Sequence, residues 1–242
     1  MDLITPNWSE VKNVHAVSST RDGGVSLGEY RGLNIGDHVG DDWIKVEHNR
    51  QRLMQQAGMP SAPVWLNQTH STKVVALNAP TSKVIDADGV FTTTPGVVCS
   101  AMTADCLPVL LADRQGRGVA AVHAGWRGLA HGIVENALNY FEGEVVAWLG
   151  PAIGPAVFEV GDDVRDAFMS EDANAHLAFR RGRQTGKWWA DMPRLATQRL
   201  NLAGVDAVYN SGLCTYQDSN RFYSYRRDGV TGRQASFIWI EE

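Results

Sequence analysis

The strongest fold signal in the chain is residues 103–128, which read TADCLPVLLADRQGRGVAAVHAGWRG. Two apolar runs, Leu107–Ala112 and Val119–Val122, flank a polar, glycine-containing segment, and this pattern predicts a β-hairpin. A turn centred in the polar segment sets Cys106 and His123 nearly opposite each other at the open end of the hairpin. A thiol and an imidazole side by side suit either metal ligation or Cys–His nucleophilic catalysis.

Apolar patterns on both sides of this hairpin predict many short strands and few helices. The further predicted strands are His15–Ser19, Pro63–Leu66, Lys73–Leu77, Val97–Met102, Val145–Leu149, Ala207–Tyr209, Phe222–Tyr225 and Gln234–Ile240. The predicted helices are Asp41–Ala57, Leu129–Phe141, Val164–Met169 and Asp191–Ala203. Consecutive strands with isolated helices favour an α+β fold with mixed or antiparallel sheets over regular βαβ alternation.

Composition limits the expected partners and compartment. The 242 residues are 44% hydrophobic and 20% charged, with a net charge of −5. Because no basic tract is longer than a pair, nucleic acid is not expected as a partner. Three cysteines in a chain without a recognisable signal segment favour reduced thiols. No apolar run approaches the ~20 residues of a membrane span, so we expect a cytoplasmic protein without a membrane partner.

Cys106 has two competing interpretations. A free cysteine near a strand is usually a packing residue, and Cys99 and Cys214 fit that description. Cys106 differs because Asp105 precedes it and Pro108 interrupts the local backbone hydrogen bonding. This setting favours a functional thiol over a packing one.

A series of short motifs extends over nearly the whole chain in a fixed order. They are Ser19–Ser26 (STRDGGVS), Leu33–Gly36 (LNIG), Gln68–His70 (QTH), Asp86–Gly89 (DADG), Thr103–Pro108 (TADCLP), His123–Gly128 (HAGWRG), Gly150–Gly154 (GPAIG) and Ser224–Asp228 (SYRRD). On these motifs the chain resembles the YfiH-like family, whose members are variously labelled purine nucleoside phosphorylase, polyphenol oxidase (laccase) or peptidoglycan editing factor. Each motif is short, but so many in one order make the assignment specific.

The resemblance implies a fold, a reaction and a substrate. The fold would be an α+β (α/β) arrangement in which mixed β-sheets form a β-sandwich-like core flanked by helices. This is the CNF-like/YfiH-like cysteine hydrolase fold, expected as a single domain over residues 1–242. The activity would be phosphorolysis of adenosine, inosine or methylthioadenosine, with additional adenosine deaminase activity. The expected partners are therefore a purine nucleoside and phosphate, and the oligomeric state stays open.

The resemblance also implies that His70, Cys106 and His123 are metal ligands. His70 enters this set through the resemblance alone, because a lone histidine at a strand end is more often a surface residue. The family usually has Gln-Val-His-Gly where this chain has Gln68–Ser71, which keeps the histidine and changes only the loop around it. Two imidazoles and one thiolate leave a fourth tetrahedral position open, which is typical of a catalytic zinc.

Copper is the alternative metal, since the same ligand types occur in blue-copper sites. Multicopper oxidases bind their copper cluster through several His-x-His pairs. This chain has seven histidines and no such pair. We therefore expect zinc and disfavour polyphenol oxidase chemistry.

Asp105 is the candidate proton carrier for deamination. Zinc lowers the pKa of a bound water toward ~7, and a carboxylate beside the ligand Cys106 could move the proton when water attacks C6 of adenine. An aspartate in this position is equally consistent with a turn cap. Cys106 and His123 complete the predicted catalytic residues.

Four polar residues are candidate substrate contacts. Arg21 precedes a glycine pair and Arg127 opens a predicted helix, and both settings suit an anion such as phosphate. Arg227 is a second candidate clamp for the anion, although paired arginines are more often solvated or structural. Asn34 could hydrogen-bond the ribose or the base, and a turn role is an equal alternative.

Three hypotheses for function follow from these observations. The first is a zinc-dependent purine nucleoside phosphorylase with adenosine deaminase activity. The second is a metal-independent hydrolase, with Cys106 as nucleophile and His123 as base, acting on an amide or a peptidoglycan precursor. The third is a non-catalytic protein that needs zinc for folding, and the open coordination position argues against it.

Overall fold

The computed structural model describes residues 1–8 and 11–241 of the chain. The strands are β1 Leu3–Ile4, β2 Val14–Ser19, β3 Leu66–Asn67, β4 Val74–Ala76, β5 Ile85–Asp86, β6 Gly89–Thr92, β7 Cys99–Thr103, β8 Leu107–Asp113, β9 Val119–Ala124, β10 Val145–Leu149, β11 Glu159–Gly161, β12 Phe179–Arg181, β13 Lys187–Ala190, β14 Ala207–Asn210 and β15 Gln234–Ile240. The helices are α1 Trp43–Ala57, α2 Trp126–Ala130, α3 Ile133–Leu138, α4 Asp162–Met169, α5 Met192–Leu202 and α6 Tyr225–Asp228, with short 3-10 helices at Gly28–Tyr30 and Ala173–Ala178. None of the described helices has the length and apolar character to cross a lipid bilayer.

Two sheets face each other and form the centre of the fold. An antiparallel four-stranded sheet has the order β1-β2-β15-β7, and a mixed six-stranded sheet has the order β14-β10-β8-β9-β6-β4. Side chains from both sheets, among them Ala101, Leu110 and Ile238, are fully buried in one apolar cluster between them. The predicted β-sandwich-like core is therefore confirmed.

Helices cover the outer faces of the sandwich. Leu129 of α2, Ile133 of α3 and Leu195 of α5 pack in one apolar cluster with Leu111 of the six-stranded sheet. On the opposite side, Leu53 of α1 packs in a third cluster with residues of the four-stranded sheet. The arrangement agrees with the α+β class that the sequence predicts.

The hairpin predicted from residues 103–128 consists of β8 and β9. Leu107 pairs with Ala124 and Pro108 pairs with His123, so Cys106 lies one residue beyond the last pair at the same end. Both strands are buried throughout, because β10 and β6 flank them within the sheet. The predicted placement of the thiol beside the imidazole is confirmed.

Two sequence predictions differ from the structure. The helix predicted at Leu129–Phe141 is divided between α2 and α3, because Gly132 at the break has a φ of +94°. The strand predicted at Phe222–Tyr225 is wrong, since Ser224 instead caps α6 by accepting a hydrogen bond from the Arg227 N–H. Phe222 and Tyr223 are fully buried without joining a sheet, while Tyr225 is exposed.

The sequence patterns missed β1, β5, β6 and the small sheet β11-β13-β12. The strand predicted at Pro63–Leu66 overlaps only the first residue of β3. The omission of β6 matters for the site, because this strand follows directly after Asp88. Gly89 of β6 pairs with Val122 of β9, which brings Asp88 next to His123.

Candidate metal centre and adjoining cavity

Three side chains from distant parts of the sequence meet at one end of the six-stranded sheet. His70 follows β3, Cys106 precedes β8 and His123 lies in β9. Their ligand atoms all lie within 4.8 Å of one another, and Cys106 Sγ is 3.7 Å from His70 Nε2. Zinc bond lengths of about 2.1 Å to nitrogen and about 2.3 Å to sulfur set tetrahedral nitrogen and sulfur ligands about 3.6 Å apart. The spacing therefore fits a metal ion.

A fully buried carboxylate, Asp88, connects two of the three candidate ligands. Its Oδ1 lies 2.8 Å from Nδ1 of His123 and accepts a hydrogen bond from the backbone N–H of His70. Its Oδ2 accepts hydrogen bonds from the N–H and the hydroxyl of Ser71. Burial would raise the pKa of Asp88, but the hydrogen bonds from His123 and Ser71 outweigh it and keep that pKa well below its usual range. Metal-binding histidines commonly bond a carboxylate through the nitrogen that does not bind the metal.

The pKa values of Cys106 and His123 favour a thiolate beside an imidazolium. Burial would raise the pKa of Cys106, but the charge of His123 and hydrogen bonds from both histidines lower it to about 6. Burial would lower the pKa of His123, but the Cys106 thiolate and the bond to Asp88 raise it to about 9. A thiolate is the form that both metal ligation and nucleophilic attack require.

The loops that carry the ligands adopt unusual backbone conformations. His70 has a φ of +61° and Asp105, next to Cys106, has a φ of +95°. A positive φ is uncommon in non-glycine residues, and backbone strain of this kind clusters at functional sites. Gly125 is needed for a steric reason, since a Cβ there would lie 2.5 Å from Cδ2 of His70 and 3.4 Å from Sγ of Cys106. The chain thus keeps space free beside two candidate ligands.

The candidate ligands line a cavity of about 800 Å³. Arg233 and His38 lie in its wall together with the carboxylates of Asp37 and Asp86. Nη1 of Arg233 donates hydrogen bonds to two backbone carbonyls, which fixes the guanidinium in place. The other lining residues are Leu66, Asn67, Gln68, Val84, Met102, Thr103, Ala104 and Tyr225. A cavity of this size with convergent polar groups suits a small polar metabolite.

Asp105, the predicted proton carrier, has both carboxylate oxygens occupied. Oδ1 accepts a hydrogen bond from the hydroxyl of Thr215 at 2.7 Å. Oδ2 accepts hydrogen bonds from the hydroxyl of Ser224 at 3.0 Å and from the N–H of Arg226 at 2.7 Å. These bonds tie the loop before α6 to the strand end that carries Cys106. The geometry favours the structural alternative for Asp105 over proton transfer.

The four predicted substrate contacts do not line the cavity. The guanidinium of Arg21 donates to two backbone carbonyls, and that of Arg227 donates to three. The side chain of Asn34 is fully buried and fixes its own loop. Arg127 is exposed, with its guanidinium carbon 4.4 Å from the centre of the Trp126 ring. The assignment of these residues to substrate binding remains a prediction.

The sequence reasoning missed Asp86, Asp88, His38 and Arg233 as site residues. The available signal for the two aspartates was the pair of acidic residues in Asp86–Gly89, directly before a short strand. His38 and Arg233 lie in loops almost the length of the chain apart. Only the folded structure shows that these two side chains share one cavity wall.

The fold and the site together define an α+β sandwich protein with a candidate metal centre beside a polar cavity. Residues 15–241 match the family described as multi-copper polyphenol oxidoreductase laccase. The chain belongs to this family, which includes the YfiH proteins. The resemblance found in the sequence is therefore confirmed.

Relatives with whole-chain similarity occur among both named enzymes and solved structures. The purine nucleoside phosphorylase YfiH of Escherichia coli (strain K12) is 50% identical over 241 residues, which cover 98% of each chain. A purine nucleoside phosphorylase of Haemophilus influenzae is 47% identical over 245 residues, covering 100% of each chain. A Neisseria meningitidis protein of known structure has a TM-score of 0.92 at 44% identity over 100% of both chains. YlmD from Geobacillus stearothermophilus has a TM-score of 0.86 at 29% identity, with 97% of this chain and 94% of YlmD covered.

The family description and the names of the relatives indicate different chemistry. A multi-copper enzyme needs several metal positions. Among residues 1–8 and 11–241, one group of at least three His, Cys, Asp or Glu side chains is arranged to hold a metal ion. The relatives are named as enzymes, which agrees with the prediction that this chain is one.

Proposed function

We propose that this chain is a zinc-dependent purine nucleoside phosphorylase that cleaves adenosine, inosine and methylthioadenosine with phosphate. The observation that carries the proposal is that the His–Cys–His cluster shares one cavity with a fixed arginine, Arg233, and a histidine, His38. The names of the relatives from E. coli and H. influenzae support the same reaction. Free cysteines at all three positions agree with an enzyme of the cytoplasm.

Arg233 and His38 form the candidate phosphate site. A guanidinium presents a planar fork of donors that matches phosphate oxygens. Burial and the positive charge of Arg233 lower the pKa of His38, so near neutral pH His38 would donate through a neutral ring N–H. In phosphorolysis, a phosphate oxygen bonds to C1′ of the ribose as the C1′–N9 bond breaks. The electron pair of that bond leaves with the purine, which then takes up a proton.

His70, Cys106 and His123 would hold the zinc ion, which supplies a Lewis acid at the edge of the cavity when bound. Mixed thiolate and imidazole ligands also suit adenosine deamination, because zinc deaminases of nucleobases use similar ligand sets. Deamination needs a carboxyl group that can carry a proton. Asp86 is a better candidate than Asp105, because it is exposed in the cavity wall.

The test is an assay of zinc-loaded protein with inosine and phosphate, which should release hypoxanthine and ribose 1-phosphate. Loss of charge-assisted hydrogen bonds in Arg233→Met should raise KM for phosphate at least about tenfold, with little change in KM for inosine. Arg117→Met is the matched control, because it removes an exposed guanidinium that lies outside the cavity. Absence of phosphorolysis with every purine nucleoside would overturn the proposal.

The arrangement of Cys106, His123 and Asp88 favours a second candidate, a metal-independent cysteine hydrolase. His123 bonds Asp88 through Nδ1, as the base of a catalytic triad bonds its orienting carboxylate. The substrate would be an amide, such as a peptidoglycan precursor. Zinc analysis with iodoacetamide labelling separates the two candidates. Stoichiometric zinc that protects Cys106 supports the phosphorylase, and metal-free active protein that is inactivated by alkylation of Cys106 supports the hydrolase.

A further inference from the structure

A second chamber adjoins the main cavity at Cys106. Its volume is about 200 Å³, and it shares Ala104, Cys106 and Tyr225 with the main cavity. The remaining lining residues are Asp105, Trp126, Ile153, Phe158, Met192 and Arg226. A ligand that extends into both spaces therefore passes the candidate metal centre. Of the residues proposed above to bind zinc or phosphate, Cys106 alone lines this chamber.

Aromatic and apolar side chains form most of the chamber wall. Trp126 and Phe158 are partly buried against the helix-covered core, while Ile153 and Met192 are almost completely buried. Aromatic rings stack on any purine, since every base has a π-face. The wall thus suits a flat, uncharged ring system better than a ribose or a phosphate.

Arg226 adds a hydrogen-bond donor at a fixed place in this wall. Its backbone N–H donates to Asp105 Oδ2 at 2.7 Å, and its Nη1 donates to the carbonyl of Glu159 at 2.9 Å. Its guanidinium carbon lies 5.2 Å from the centre of the Phe158 ring. A guanidinium carries five N–H donors, so one bond to a carbonyl leaves donors available for a ligand stacked beside Phe158.

We propose that this chamber is the subsite for the purine base and that Arg226 binds the edge of the base that carries N7 and the six-position. The inference rests on the proposed phosphorylase function and assigns the parts of the nucleoside for phosphorolysis, not for deamination. The base occupies the chamber, the ribose lies beside Cys106, and the phosphate binds in the main cavity near Arg233.

The chemistry of that edge makes Arg226 a specificity-determining residue. A 6-oxopurine presents two acceptors there, O6 and N7, which an arginine can bind together. Adenine presents N7 and a 6-amino donor, so it can accept only through N7. When the C1′–N9 bond breaks, its electron pair spreads over the purine onto N7 and O6. Arg226 therefore stabilises the departing 6-oxopurine as well as the bound nucleoside.

The experiment compares phosphorolysis of inosine and adenosine by the wild type, Arg226→Met and Phe158→Leu. Loss of one bidentate contact should lower kcat/KM for inosine at least about tenfold in Arg226→Met, with less than about threefold loss for adenosine. Stacking does not depend on the identity of the base. Phe158→Leu should therefore lower kcat/KM for inosine and for adenosine by similar factors. Arg165→Met is the matched control, since it removes a guanidinium stacked on Trp188 outside both spaces.

Calorimetric binding of free hypoxanthine provides a readout that does not need turnover. Hypoxanthine should bind the wild type and the Arg165→Met protein, and binding should weaken at least about tenfold in Arg226→Met. If inosine is cleaved but Arg226→Met changes neither its kcat/KM nor hypoxanthine binding, the subsite is wrong and the phosphorylase function stands. If no nucleoside is cleaved, the phosphorylase function fails. Hypoxanthine binding that depends on Arg226 would still support a purine subsite, and absent binding would overturn it.

Discussion

Asp88 and Asp105 are both buried carboxylates next to candidate metal ligands, and each accepts several hydrogen bonds. The donors to Asp88 include Nδ1 of His123 and the backbone N–H of His70. The donors to Asp105 are the hydroxyls of Thr215 and Ser224, which precede α6, and the N–H of Arg226 within α6. The two residues are alike in chemistry and burial, and they differ in which part of the molecule they restrain.

This difference shows that the role of a buried carboxylate follows from the groups that donate to it. Asp88 fixes the orientation of one candidate ligand and the loop of another, so it acts on the metal centre. Asp105 fixes the backbone of Arg226, so it acts on the wall of the second chamber. Substitutions at the two positions should therefore separate metal affinity from stability of the fold.

Removal of a metal ligand should cause the largest loss of zinc affinity. Cys106→Ala deletes the only thiolate of the cluster, and zinc affinity should fall on the order of a thousandfold or more, together with the phosphorolysis rate. Competition with a chromogenic zinc chelator measures the affinity. Cys214→Ala is the control, because Cys214 accepts a hydrogen bond from Gly154 outside the cluster. Equal zinc affinity in both variants would contradict the assignment of Cys106 as a ligand.

Asp88→Asn tests the carboxylate that orients the ligands. The substitution removes the negative charge beside His123. It also places an amide group where the N–H and the hydroxyl of Ser71 donate to the carboxylate. Zinc affinity should fall about 10- to 100-fold, the range found when the hydrogen-bond partner of a metal-binding histidine is lost. The same chelator competition, carried out on protein whose circular dichroism matches the wild type, measures the effect. An unchanged affinity would show that Asp88 only holds the loop.

The pH dependence of zinc binding tests the pairing of a Cys106 thiolate with a His123 imidazolium. His123 must lose its proton to bind zinc, and its pKa is raised to about 9. Zinc affinity should therefore increase about tenfold per pH unit from pH 6 to pH 9 and then level off. Below pH 6 the slope should become steeper, because the pKa of Cys106 is about 6 and its thiol must also ionise. A flat profile between pH 7 and pH 9 would show that His123 is neutral before the metal binds.

The local part of the site could be predicted from the sequence. The pairing of Cys106 with His123 follows from two apolar strands and one polar turn, because a hairpin fixes its register through its own turn. The approach of His70 depends on the pairing of β6 with β9 and on Asp88, which no local pattern contains. Its place in the cluster therefore came from family resemblance alone.

The polar residues outside the hairpin could not be assigned from the sequence, because a charged residue type does not show where its donors point. Arg21, Arg227 and Arg233 all donate hydrogen bonds to backbone carbonyls, and of these three residues Arg233 lines the cavity. The run Phe222–Tyr225 has the pattern of a strand because burial and strand pairing produce the same apolar pattern. These distinctions depend on tertiary contacts between segments far apart in the chain.

Asp105→Asn should have the smallest effect on metal affinity and completes the comparison. Both carboxylate oxygens of Asp105 accept hydrogen bonds, and the substitution replaces one of them with an amide N–H₂, which cannot accept. At least one of the bonds from Thr215, Ser224 or the Arg226 N–H is therefore lost. The free energy of unfolding should fall by about 1–3 kcal/mol, measured by urea denaturation, while zinc affinity stays within about threefold of the wild type. Asp22→Asn, at an exposed carboxylate, is the control for the loss of charge. A fall in zinc affinity as large as that of Asp88→Asn would show that both carboxylates support the metal centre.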